Sequence, residues 1–182
     1  MKEIWNESCI LSPSLICLDM CNLEREVKTL EKAGIKMLHV DILDGHFSPS
    51  MPLGLDTVRQ LRAKTDMFFD CHVMVTEQDY FVDELLDIGV DQIVFHGETQ
   101  PHIDGMLNRI HAKGVKAGVA LKPATPLSEL EYVLDKCDTV LLMLINPGYA
   151  FVKGEKQVTY ADRKIRELRK MITDRGLKTK IE

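Results

Sequence analysis

The residues best suited to chemistry sit in one run, His39-Val40-Asp41-Ile42-Leu43-Asp44-Gly45-His46. Alternate side chains of a β-strand share a face, so a strand here projects His39 and Asp41 together. A second run, Asp70-Cys71-His72, ends another apolar segment with an imidazole. Two imidazoles and a carboxylate suit one divalent cation (zinc, iron, manganese or cobalt), with positions left open for a substrate. The competing expectation is that each histidine is a hydrogen-bonded core residue, because buried polar side chains are ordinarily paired. Asp41 weighs against it, since an ionised Asp inside a core is costly unless paired or bound to a cation. Asp44-Gly45 reads equally well as the tight turn that ends the strand.

Those residues need a scaffold, and the chain has a repeating one. Apolar, β-prone runs recur at Ile10–Cys17, Met37–Ile42, Met67–Val73, Gln92–Phe95, Lys116–Leu121 and Thr139–Leu144, with a possible seventh beginning in Lys178–Glu182. Each interval has room for one crossover helix, as a parallel β-helix-β unit requires. Leu23, Val27, Leu30 and Ala33 share a helical face behind Asn22 as cap. Gly34, Gly89, Gly114 and Gly176 stand where helices should stop before a strand. Thr125-Pro126 predicts the opening of another helix. Strands alternating with helices predict a parallel sheet covered on both faces.

A barrel is favoured over an open sheet. No G-x-G-x-x-G follows the first strand and no G-x-x-x-x-G-K-[ST] is present, so dinucleotide and P-loop chemistry find no support. Ser14, Asp41, His72, His96 and Asn146 fall at the C-terminal ends of different strands, where barrel enzymes build their sites. A complete eight-stranded barrel usually needs about 200–250 residues, more than the 182 here. The expectation is one domain, residues 1–182, cut short after about six βα units.

Composition narrows the partners. The net charge of −5 gives no basic footprint for nucleic acid. The longest strictly apolar run, Val140–Ile145, is far short of the ~20 residues that span a bilayer. The first ten residues lack the apolar core of a signal peptide, so a cytoplasmic protein is expected. Five cysteines (Cys9, Cys17, Cys21, Cys71 and Cys137) without a C-x-x-C pair predict neither a disulfide framework nor a zinc knuckle. Most should be small buried hydrophobes.

The motifs together resemble one family. Ser12-Pro13-Ser14-Leu15, HVDILDGHF (His39–Phe47), DCHVM (Asp70–Met74), ALKPATP (Ala120–Pro126) and MLINPG (Met143–Gly148) are similar, in order and spacing, to the ribulose-phosphate 3-epimerases. The resemblance implies a (β/α)₈ TIM barrel and a cytoplasmic isomerase of carbohydrate metabolism. Such an enzyme inverts C3 of D-ribulose 5-phosphate or D-xylulose 5-phosphate through a 2,3-enediolate. It further implies His39, Asp41 and His72 as ligands of one divalent metal, with Asp41 also a catalytic acid/base. Ser14, His72, Met74, Met143 and Gly148 match positions that contact the sugar phosphate.

The fourth ligand, also the second acid/base, belongs by resemblance to an Asp-Gly motif on strand 7, beyond Glu182. Residues 1–182 alone are therefore expected to be inactive, and the complete protein to be a homo-oligomer. The sequence departs from the family pattern at Leu43, where Met is usual, and at Tyr149–Gly154, which replaces a Gly-Gln loop. Two alternatives stay open. CHVMVT (Cys71–Thr76), Gln78-Asp79-Tyr80 and His96-Gly97-Glu98-Thr99 are similar to the allulose-6-phosphate 3-epimerase subgroup. A catalytically dead barrel remnant serving as a binding module is the other.

Overall fold

The computed structural model describes residues 3–147, 154 and 156–182. Six parallel strands, β1 (Met37–Leu43), β2 (Phe68–Met74), β3 (Gln92–His96), β4 (Lys116–Leu121), β5 (Thr139–Leu142) and β6 (Lys180–Ile181), lie side by side in chain order. Helices α1 (Leu23–Lys32), α2 (Leu55–Arg62), α3 (Gln78–Ile88), α4 (Ile103–His111) and α5 (Ala161–Asp174) connect or precede them. This is a parallel α/β sheet of the TIM-barrel kind. Gly34, Gly89, Gly114 and Gly176 all have φ between 64° and 85°, the left-handed conformation that ends a helix at low cost. Among the described residues no helix is long and apolar enough to cross a membrane.

Three sequence expectations need correction. The first run, Ile10–Cys17, contributes a single bridge, Ser14 to His39, followed by a 3₁₀ turn at Leu15–Cys17. Pro13 has no N–H to donate, and its carbonyl accepts instead from His39 N. Thr125-Pro126 opens no α-helix; the segment forms 3₁₀ turns at Leu127–Leu130 and Leu134–Lys136. Leu127, Leu130 and Val133 recur every three residues, which suits the three-residue turn of a 3₁₀ helix. Finally, only Cys71 and Cys137 are buried; Cys9, Cys17 and Cys21 are exposed, and all five are free.

Strand alternation separates two interiors. Leu38, Val40, Ile42, Phe69, Cys71, Val73, Ile93 and Phe95 face outward and pack with Val27, Val58, Leu85, Leu107 and Leu168 in the main core. The other face carries two small apolar clusters, with Leu43 and Met74 buried at its C-terminal end. Met37 and Phe68 meet Ile4 at the N-terminal end, where Trp5 stacks on Phe68. Val94, Ala120 and Leu141 form the second cluster. Between them this face is polar. Register sets His39 beside Asp70, and Asp41 beside His72. His72 in turn faces Val94, Val94 faces Gly118, and Gly118 faces Thr139.

Gly118 is the tight point of that row. A Cβ there would stand 2.6 Å from the Thr139 carbonyl oxygen and 3.2 Å from a methyl of Val94. The oxygen belongs to β5 backbone and has little freedom to retreat. Gly118→Ala is expected to destabilise the fold by about 1–3 kcal/mol, the usual cost of overpacking. Chemical denaturation measures this, and a variant within 0.3 kcal/mol (roughly) of wild type would mean that β5 yields freely.

Candidate active site

β1, β2 and β3 deliver the polar face. Asp41 Oδ1 lies 3.2 Å from His39 Nε2 and 3.5 Å from His72 Nδ1. Donors that share one ion at about 2.0–2.2 Å stand roughly 3–3.6 Å apart, so these spacings fit a single small cation. The three ligand atoms all lie within 4.8 Å of one another. Asp41 and His72 are buried and His39 is nearly so. Nitrogen, nitrogen and carboxylate oxygen form a donor set suited to zinc or another first-row divalent metal.

Electrostatics on this face follow from burial and pairing. Burial opposes charge on Asp41, yet the hydrogen bond from His39 and the nearby His72 ring outweigh it and hold the carboxyl well below the usual carboxylate range. Burial likewise opposes charge on His39, but hydrogen bonds to Asp41, Asp70 and Glu182 raise its pKa well above the ordinary value. His72 shifts the other way, because burial dominates. The Ser14 hydroxyl donates to the free oxygen of Asp41, Oδ2. Asp41 therefore stays ionised, with both oxygens engaged.

Further residues orient the histidines. His39 Nδ1 is 3.1 Å from Asp70 Oδ2 and 2.9 Å from Glu182 Oε1. Burial and the adjacent Asp70 carboxylate push Glu182 up to about 7. Asp70 is fully buried, and its other oxygen accepts from Gln92 Nε2 at 2.6 Å. Gln92 Oε1 in turn accepts from the Thr139 hydroxyl at 3.1 Å. A ligating imidazole commonly gives its second N–H to a carboxylate, which fixes the ring and its tautomer. Asp70 was legible in principle. It stands two residues before His72, the spacing that relates His39 to Asp41, but its carboxylate meets the histidine of the neighbouring strand.

The other expected contacts are placed as follows. Met74 is buried on the same face of β2 as Asp70 and His72. Met143 packs against Val94, Ala120 and Leu141. Gly148 and most of the loop from Tyr149 to Gly154 lie outside the described residues. Asp44 does form a turn, with Gly45 at φ 74°. Its carboxylate accepts from the backbone N–H groups of His46, Phe47 and Thr76, which holds its pKa at about 2 against the effect of burial. That turn sets Phe47 against the His96 ring, centroids 4.5 Å apart.

The chain is similar to known proteins of one family. The pattern of the ribulose-phosphate 3 epimerase family matches residues 10–182. The chloroplastic ribulose-5-phosphate-3-epimerase of Arabidopsis thaliana is 39% identical over 95% of this chain and 61% of its own length. The ribulose-phosphate 3-epimerase of Bacillus subtilis (strain 168) is 37% identical over 92% of this chain and 76% of its own. The chain thus spans about three-fifths to three-quarters of these relatives.

Solved structures share the fold at low identity. The 7,8-dihydropteroate synthase of Vibrio fischeri ES114 superposes with TM-score 0.58 at 14% identity, covering 94% of this chain and 71% of that one. Tryptophan synthase subunit alpha from Campylobacter jejuni gives 0.53 at 14% identity, covering 94% of this chain and 84% of that one. Family match and sequence identity over nearly the whole chain agree: the chain belongs to the ribulose-phosphate 3-epimerase family.

Proposed function

We propose that the protein inverts C3 of a phosphorylated ketose, interconverting D-ribulose 5-phosphate and D-xylulose 5-phosphate, with His39, Asp41 and His72 holding one divalent cation. The observation that carries this reading is Asp41, a buried carboxylate between two imidazoles in a chain of this family. A cation held there by His39, Asp41 and His72 would supply Lewis acidity toward the ketose oxygens.

The chain's own groups do the remaining work. The Asp41 carboxylate, already ionised, takes the proton from C3 as general base. Ser14 steadies that carboxylate through its hydroxyl and meets the sugar. Met74 and Met143 wall the reacting centre with polarizable, weakly solvating side chains. By resemblance to the family, Gly148 contributes a backbone N–H to the phosphate. Protonation from the opposite side inverts the centre, and the resemblance gives that step to a second carboxylate in an Asp-Gly motif.

The test is turnover of D-ribulose 5-phosphate by protein carrying both carboxylates, with D-allulose 6-phosphate assayed in parallel. Preference for the hexulose would move the substrate assignment, and turnover of neither would overturn the epimerase reading. Metal is checked separately. The protein is expected to purify with near-stoichiometric divalent metal, and His72→Ala is expected to lose most of it. Equal metal in both, by elemental analysis, would remove His72 from the ligand set.

A further inference from the structure

His72 makes a contact that the proposed chemistry does not use. Its Nε2 lies 2.9 Å from Nε2 of His96 on the next strand, and both rings are buried. Two imidazole nitrogens at that distance hydrogen-bond only if one carries a proton and the other a lone pair. Beyond them, His96 Nδ1 lies 2.7 Å from Glu98 Oε2. The remaining oxygen of Glu98 accepts from the Lys122 backbone N–H at 2.6 Å and from the Thr125 hydroxyl. With donors on every side, Glu98 is an acceptor, which makes His96 Nδ1 the donor. His96 Nε2 is then the lone pair, and His72 Nε2 the donor to it. What remains on His72 is an unprotonated Nδ1, the atom 3.5 Å from Asp41.

We propose that Glu98 and His96 are positioning residues that fix His72 as its Nε2–H tautomer and so present a bare Nδ1 to a cation. This rests on the reading of His39, Asp41 and His72 as a cation site. The two histidines of that site would bind through opposite nitrogens, each set from behind by an acid: Asp70 directly for His39, Glu98 through His96 for His72. The relay is enclosed. Phe47 lies on the His96 ring, and Lys122 Nζ sits 4.0 Å above the Phe47 ring centroid. Lys164 Nζ donates to the carbonyls of Lys122 and Pro123, anchoring the loop that supplies the N–H to Glu98.

Glu98→Gln probes the direction of the relay. The Lys122 N–H needs an acceptor, so the amide oxygen faces Lys122 and the amide NH₂ faces His96 Nδ1. Each hydrogen bond then reverses, and His72 is protonated at Nδ1, the nitrogen a cation needs bare. Long-range ¹H–¹⁵N spectra of metal-free protein with labelled histidine read the tautomer directly. Zinc affinity, by chelator competition, reads the consequence. The wild type should show His72 as the Nε2–H form. Glu98→Gln should show the Nδ1–H form and bind zinc about 10–100-fold more weakly, the usual cost of losing an outer partner of a metal-ligating histidine.

A wild-type Nδ1–H tautomer, which needs no variant to fold, would overturn the inference. So would a folded Glu98→Gln protein whose zinc affinity stays within about twofold of wild type, well below that usual cost. A wild type with the Nε2–H tautomer and no zinc affinity would uphold the relay and overturn the cation site instead.

Discussion

Asp41→Asn is expected to lower turnover of D-ribulose 5-phosphate by about 10²–10⁴-fold, the typical contribution of a general acid–base group. The substitution keeps the size of the side chain and one oxygen for the Ser14 hydroxyl. It removes the charge that lies between His39 and His72, and the basic oxygen that would take the C3 proton. Metal affinity should weaken as well, so the assay is run with saturating zinc to separate the two losses. Exchange of the C3 hydrogen with solvent deuterium is the sharper readout, because it reports proton removal even if later steps become limiting. It should fall in parallel with turnover. An Asn variant that exchanges at a rate near wild type would take Asp41 out of the proton path and leave it at most a ligand.

The polar face that carries Asp41 was legible because its alternation is chemical rather than a matter of exposure. All seven residues of β2 are buried, so a hydrophobic-in, polar-out pattern was never available there. What shows in the sequence is Asp70, His72 and Met74 alternating with Phe69, Cys71 and Val73, polar or polarizable side chains against purely apolar ones. The same holds for His39 and Asp41 against Leu38, Val40 and Ile42.

The segments that went astray are those where a local constraint overrode the pattern. Pro13 cut a promising apolar run to one bridge. The three-residue rhythm of Leu127, Leu130 and Val133 displaced the helix that Thr125-Pro126 announced. The relay through His96 was illegible for a different reason. His96 and Glu98 are close in sequence, but the contact with His72 depends on the register of two neighbouring strands, which spacing along one chain does not encode.

Asp70→Ala is expected to cost the largest share of stability at this site, about 3 kcal/mol. Breaking a buried ion pair by removing one partner typically costs 3–5 kcal/mol, because the other charge is left without compensation. Asp70 is fully buried and serves two donors, His39 Nδ1 and Gln92 Nε2. Burial opposes its ionisation, yet the hydrogen bond from His39 keeps its pKa below the ordinary value, so the pair is ionic in the folded protein. Glu182 also reaches His39 Nδ1, at 2.9 Å. It retains part of the compensation, which places the expectation at the lower end of the range. Gln92 has no such substitute and keeps a buried NH₂ without its acceptor. Asp70→Asn preserves the shape and one acceptor oxygen, and should cost about half as much, since one of the two donors can still be satisfied. Urea denaturation of metal-free protein separates these cases. If Asp70→Ala unfolds within about 1 kcal/mol of wild type, the size of one ordinary hydrogen bond, then His39 is not held as a buried cation. Its orientation toward Asp41 would then have to come from Glu182.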